Sequence, residues 1–178
     1  IQWAPEGMTK VFMVSGGSEA TESAIKMARQ YQLERGKPSK YKILSRWSSY
    51  HGNTLGSLSA SGMPARRIMY DPLFNSSAFP KIPQVNCYRC PFDSDISVCG
   101  LKCAHALETQ ILQEGPDNVA AFIAEPIVSA ASGCPIPPEG YFTEIREICN
   151  RYDVLFIADE VVTGFGRTGK NFCLDHWN

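Results

Sequence analysis

Four short stretches hold residue types that can do chemistry: Ser15-Gly16-Gly17-Ser18-Glu19-Ala20, Tyr50-His51-Gly52-Asn53-Thr54, Ala124-Glu125-Pro126, and the run Asp159–Gly169. In the first, glycines let the backbone approach an anion closely, and free N–H groups at a helix start favour phosphate. Ser18 also reads as an N-cap, so a capped helix after a tight turn would account for the same residues. No Gly-Lys-Ser/Thr follows, which excludes a Walker loop. In the second stretch, Tyr50 beside a glycine turn could stack on a planar ring; a buried tyrosine and a hydrogen-bonded His51 would explain it equally well. Glu125 ends an apolar run, where a carboxylate is expensive to bury without a partner; it is either a surface charge at a strand end or a functional group. Asp159 ends another apolar run. A carboxylate there could hold a pyridine nitrogen protonated and so keep the ring an electron sink, or it could bind Mg²⁺.

The elements that must position these residues alternate between strand and helix. Apolar runs predict strands over Lys10–Val14, Tyr41–Trp47, Val119–Ala124 and Val154–Ala158. Helical spacing predicts Glu19–Arg35, with Ala20, Ala24, Met27, Ala28, Tyr31 and Leu33 as its apolar face, and then Thr54–Ala60, Ala104–Gln113 and Tyr141–Tyr152. Residues 62–103 read as irregular. Continuous apolar strands separated by helices predict an α/β fold: a mostly parallel sheet covered on both faces in three layers, αβα. Ligands of such sheets bind at the carboxyl ends of strands, where all four chemical stretches fall.

Composition narrows the function classes. The chain has 178 residues, 44% of them hydrophobic and 20% charged, a globular balance with the length of one domain. Seventeen basic against eighteen acidic residues give a net charge of −1, which offers nothing to a nucleic acid or a membrane surface. No apolar run is long enough to span a bilayer. The seven cysteines are odd in number and no secretion signal precedes them, which reads as a reducing, cytoplasmic setting with mostly free thiols. Cys87-x2-Cys90-x8-Cys99-x3-Cys103 could close a tetrahedral zinc site or sit as reduced thiols in a loop, and no residue is assigned as a metal ligand.

In order and spacing, the four stretches resemble the class III, fold-type I pyridoxal-phosphate (PLP) aminotransferases. The resemblance runs from Val11 to Phe172 and is most specific at Ser15–Ala20, Tyr50-His51-Gly52, Glu125-Pro126 and Asp159–Gly169. Pro137-Pro138-Glu139-Gly140-Tyr141 and the run from Ile157 to Gly169 look most similar to the ω-amino acid:pyruvate type. The resemblance implies that Gly16, Gly17 and Ser18 hold the PLP phosphate. It further implies that Tyr50 and Val161 press on the two ring faces and that Asp159 pairs with the ring nitrogen. Glu125 would support the hydrogen-bond network near the ring, with His51 as a further supporting residue. It implies transfer of an amino group from an amine or an α- or ω-amino acid to a 2-oxo acid, in a homodimer. A dialkylglycine-type decarboxylase, an aminomutase, or a catalytically incomplete or metal-binding module remain alternatives.

Departures from the family pattern sharpen this. Relatives that use 2-oxoglutarate often carry an arginine where this chain has Asn53, and a glutamate where it has Ala130; pyruvate or glyoxylate is therefore the favoured acceptor. The family's Schiff-base lysine falls about thirty residues beyond the Asp159 position, past Asn178. Lys170, inside the glycine-rich loop, is not promoted to that role. The expectation is a single partial domain, 1–178. It would be the central part of a longer protein, lacking the N-terminal segment, the lysine region and the C-terminal small domain, and inactive by itself.

Overall fold

The computed structural model describes residues 2–93, 95–129 and 131–177. Strands β1 (Lys42–Arg46), β2 (Lys81–Ile82), β3 (Val119–Ala124) and β4 (Leu155–Ala158) form one sheet in the order β2-β1-β3-β4. Every pairing is parallel, and β3 runs in register with β4 from Ala121↔Leu155 to Ala124↔Ala158.

All six residues of β3 are buried, because successive side chains leave a strand on opposite faces and both faces here are covered. On one face, Leu44, Phe122 and Ala124 join Leu107 and Ile111 of α4 (Lys102–Glu114) and Ile145 and Ile148 of α5 (Tyr141–Arg151). On the other, Ile43, Ala121 and Ile123 join Ala28 of α1 (Gly17–Glu34) and Ala60 of α2 (Leu55–Ala60). The result is the expected three-layer αβα arrangement.

One buried cation ties the entry side of the sheet. Lys40 donates from Nζ to the carbonyls of Pro116 (2.8 Å), Val119 (3.0 Å) and Tyr152 (3.1 Å), which lie just before or at the starts of β3 and β4. Burial lowers the Lys40 pKa below the usual lysine value, so those three acceptors are what make a charge tolerable there.

Three expectations are corrected. Lys10–Val14 is not a strand: Phe12 and Met13 are 68% and 85% exposed. An apolar run becomes a strand only when a neighbour completes its ladder, and among the described residues none pairs with it. The apolar face expected for α1 is also displaced. Thr21, Ala28 and Gln32 are its buried residues, whereas Met27, Tyr31 and Leu33 are exposed; the helix meets the sheet along a more polar stripe than spacing suggested. Finally, residues 62–103 include α3 (Pro64–Arg67), a 3-10 turn at Asp71–Leu73, and β2. A two-residue strand is too short to leave a periodic signature. Among the described residues no helix is long and apolar enough to cross a membrane.

Replacing Lys40 with methionine should keep the packing of the stem and leave three carbonyls unpaired. The expected loss is about 2–3 kcal/mol of unfolding free energy, measured by urea denaturation; an unchanged midpoint would refute the role given to this lysine.

Candidate active site at the strand ends

Asp159 follows β4 directly, and its N–H donates to Ala124 O (2.9 Å), so the sheet ladder itself fixes its backbone. Its Oδ1 accepts the Val161 N–H (3.1 Å), and its Oδ2 lies 2.7 Å from His51 Nδ1. The two side chains are 7% and 0% exposed. His51 comes from the turn after β1 and is held on its backbone: its N–H donates to Ser61 Oγ (2.7 Å), and its carbonyl accepts from Thr21 Oγ1 (2.7 Å). Its other ring nitrogen, Nε2, is buried with no partner among the described residues.

Glu125, just past β3, is also buried. Its Oε1 accepts the Tyr50 N–H (2.8 Å), and its carbonyl accepts from Nη2 of Arg46, a β1 residue only 1% exposed. Burial pushes the Glu125 carboxyl above its ordinary range and Asp159 adds to the rise, while the Tyr50 N–H, His51 and Arg46 pull it down. The half-buried Tyr50 ring has the Arg66 guanidinium 4.9 Å from its centroid.

The first turn of α1 faces this group. Ser18 is not the N-cap: Gly16 is, in extended conformation, and the helix starts at Gly17 with no side-chain cap. The correction has a chemical consequence, since the first-turn N–H groups stay open to an anion. Ser18 Oγ instead accepts the Asn53 N–H (2.9 Å) and keeps its own proton to donate. A Cβ on Gly17 would come within 3.0 Å of Val161 Cγ1, so the helix start and the Asp159 loop meet there. Gly52 has φ +137°, and a Cβ on it would lie 2.5 Å from Ser57 Oγ and 2.8 Å from Ser18 Oγ. Only glycine lets the β1 turn pass between the starts of α1 and α2.

Several residues that sequence reasoning missed complete the frame. Glu22 accepts from Thr54 Oγ1 and from the Ser57 N–H (3.1 Å), which joins α1 to the start of α2. Thr54 caps α2 in a capping box with Ser57; the Ser/Thr-rich run 54–61 was the available signal. Glu160 accepts from Thr163 Oγ1 (2.7 Å) and from the N–H groups of Cys173 (2.9 Å) and Leu174 (3.0 Å), which closes the glycine-rich loop. Lys170 Nζ donates to Asp175 O (2.5 Å) on that loop. The exposed Val161 stands beside Gly17. Asn53 is exposed, and Ala130 lies outside the described residues. A cleft of about 1570 Å³ opens along the free edge of β4, lined by Leu155–Ala158, Glu160 and Val11.

The residues present fit a phosphorylated pyridine. The helix start offers N–H donors, Tyr50 offers a ring face, and each Asp159 oxygen retains lone-pair capacity beyond the contact it already makes. The unpaired His51 Nε2 marks the site as a place where polar partners are incomplete.

The model of the family described as aminotransferase class-III matches residues 1–178. The putrescine–pyruvate aminotransferase of Pseudomonas aeruginosa is 44% identical over 169 residues, 95% of this chain and 36% of that protein. The taurine–pyruvate aminotransferase of Bilophila wadsworthia is 45% identical over 173 residues, 97% of this chain and 37% of that protein. Among solved structures, an amine transaminase from an uncultivated Pseudomonas species in its PLP-bound form superposes with a TM-score of 0.86 at 39% identity, over 92% of this chain and 36% of that one. The chain thus spans a little over a third of the length of the curated relatives it matches.

The Gly52→Ala variant should lose about 1–3 kcal/mol of stability through backbone strain, on top of the steric conflict with Ser18 and Ser57. Thermal melting checks this; a wild-type melting point would mean that the turn relaxes freely.

Proposed function

We propose that this chain, which belongs to the class III aminotransferase family, builds the cofactor-ring and phosphate sites of a PLP-dependent transaminase. The enzyme takes an amino group from an amine or an α- or ω-amino acid and delivers it to a 2-oxo acid, with pyruvate or glyoxylate preferred over 2-oxoglutarate. The observation that carries this reading is the meeting of the uncapped α1 start with the Asp159–His51 pair, at Gly17 and Val161. An anion-binding end and a buried acceptor for a protonated ring nitrogen are then two ends of one site.

Bound PLP would supply the electron sink that transamination needs. The protein's part is electrostatic and positional. The N–H groups of the first α1 turn and the Ser18 hydroxyl hold the phosphate, with Gly16 and Gly17 letting it approach. Asp159 holds the ring-nitrogen proton. His51 fixes the Asp159 carboxylate through Oδ2, and the Val161 N–H fixes it through Oδ1, so the charge is oriented before the cofactor arrives. Tyr50 and Val161 bound the two ring faces. Glu125 sets the Tyr50 backbone through the hydrogen bond to its N–H.

Support for the acceptor comes from the chemistry at Asn53, which offers no charge to grip a second carboxylate, and from two relatives named for pyruvate. The apolar residues exposed between α3 and α4, among them Ile68, Met69, Leu73 and Tyr88, are the surface we assign to a homodimer contact.

Two measurements on the full-length enzyme test this. The Asp159→Asn variant should lose about 100–1000-fold in kcat, the scale of removing one preorganised electrostatic group, while keeping its circular dichroism spectrum; near-normal turnover would sink the role. Initial rates should be higher with pyruvate or glyoxylate than with 2-oxoglutarate at equal concentration, and the reverse order would overturn the acceptor assignment.

A further inference from the structure

Four cysteines take no part in the strand-end site. Cys87, Cys90, Cys99 and Cys103 belong to the stretch between β2 and the first turn of α4, where the described residues of 83–101 form neither helix nor strand. Its backbone hydrogen bonds include local ones, such as Asp93 N–H to Cys90 O (3.2 Å) and Val98 N–H to Asp95 O (3.2 Å). Yet all four cysteines line one cavity of about 20 Å³, with Lys102 and Pro138 also in its wall. That volume has room for a single water-sized or ion-sized sphere.

We propose that Cys87, Cys90, Cys99 and Cys103 form a structural zinc site that fastens the 83–101 stretch to α4. The sulfurs come as two pairs. Cys87 and Cys90 sit across a turn with two residues between them. Cys99 and Cys103 bracket the start of α4, with the Lys102 N–H donating to Cys99 O (3.3 Å). The helix begins after Leu101, which has left-handed backbone and provides no side-chain cap. The positive dipole end of α4 therefore lies at Cys103 and would offset the charge of a metal-bound sulfur there. One pair from a turn and one from a helix start let two chain segments supply a tetrahedral four-sulfur set.

Among the described residues no three Cys, His, Asp or Glu side chains already stand at ion-binding spacing, so ion binding requires the four sulfurs to close in from the cavity wall they share. Closure replaces four S–H bonds with four zinc–sulfur bonds and releases four protons to solvent, leaving a site of net charge −2. The α4 dipole end offsets part of that charge. A cavity of this size suits one ion rather than an iron–sulfur cluster. His105 is directed elsewhere, with Nδ1 3.7 Å from Glu144.

Elemental analysis of the protein, purified without a metal-affinity step, is the direct test. It should find about one zinc per chain, the stoichiometry of a four-cysteine site. Cys90→Ser and Cys103→Ser should lower that content about tenfold or more, and Cys134→Ser, at an exposed cysteine outside the cluster, should leave it unchanged. Should the serine variants fail to fold, cobalt substitution of the unmutated protein decides: tetrahedral thiolate absorption supports the site. Zinc-free protein whose four thiols all react with Ellman's reagent, a disulfide within the cluster, or bound iron with sulfide would each overturn the proposal.

Discussion

Two carboxylates are taken out of water at the ends of adjacent parallel strands, and the rest of the site is arranged around that desolvation. Glu125 ends β3 and Asp159 ends β4, one step apart across the ladder that joins Ala124 to Ala158. Each is answered by a donor from the turn after β1. The Tyr50 N–H serves Glu125, and the His51 ring serves Asp159. Three strands must therefore end at one level before either charge is tolerable, which makes the parallel register a condition of the chemistry.

The β1 turn can reach both carboxylates only because something holds it from behind. Thr21 of α1 and Ser61 after α2 fix the His51 backbone, and Gly52 slips between Ser18 and Ser57. Glu22 then joins the two helices through the start of α2. Small polar residues dominate this packing, since hydroxyls serve as donors and acceptors at close range where a larger apolar side chain would hold the elements apart. The same closeness brings Val161 against Gly17, so the phosphate end and the ring-nitrogen end share one wall.

Charge burial recurs away from the site with the same solution. Lys40 is surrounded by three carbonyls at the entry side of the sheet. Arg46, at the exit side, donates to the Glu125 carbonyl and lowers the cost of the carboxylate beside it. The sheet is thus pinned by a cation at each end of β1, and its apolar middle, Ile43 and Leu44 with β3, needs no polar help.

The sequence was informative wherever local pattern and local chemistry agree. The strands β1, β3 and β4, the helices α2, α4 and α5, and the strand-end positions of His51, Glu125 and Asp159 were all readable, because a strand in a helix-covered sheet carries a short hydrophobic run that a polar group must end; in β3 that run is buried at every residue. Spacing could not reveal which partner each polar group would take. The pairing of His51 with Asp159 spans 108 residues, and that of Tyr50 with Glu125 spans 75; both exist only after three strands align. Lys10–Val14 looked like a strand and is not one, since a ladder needs a neighbour that composition cannot supply. Ser18 looked like a cap and is instead a brace for Asn53, because the turn above it, not the helix below, claims its hydroxyl. Residue type thus set what each group could do, and long-range packing selected which of those options its neighbours left open.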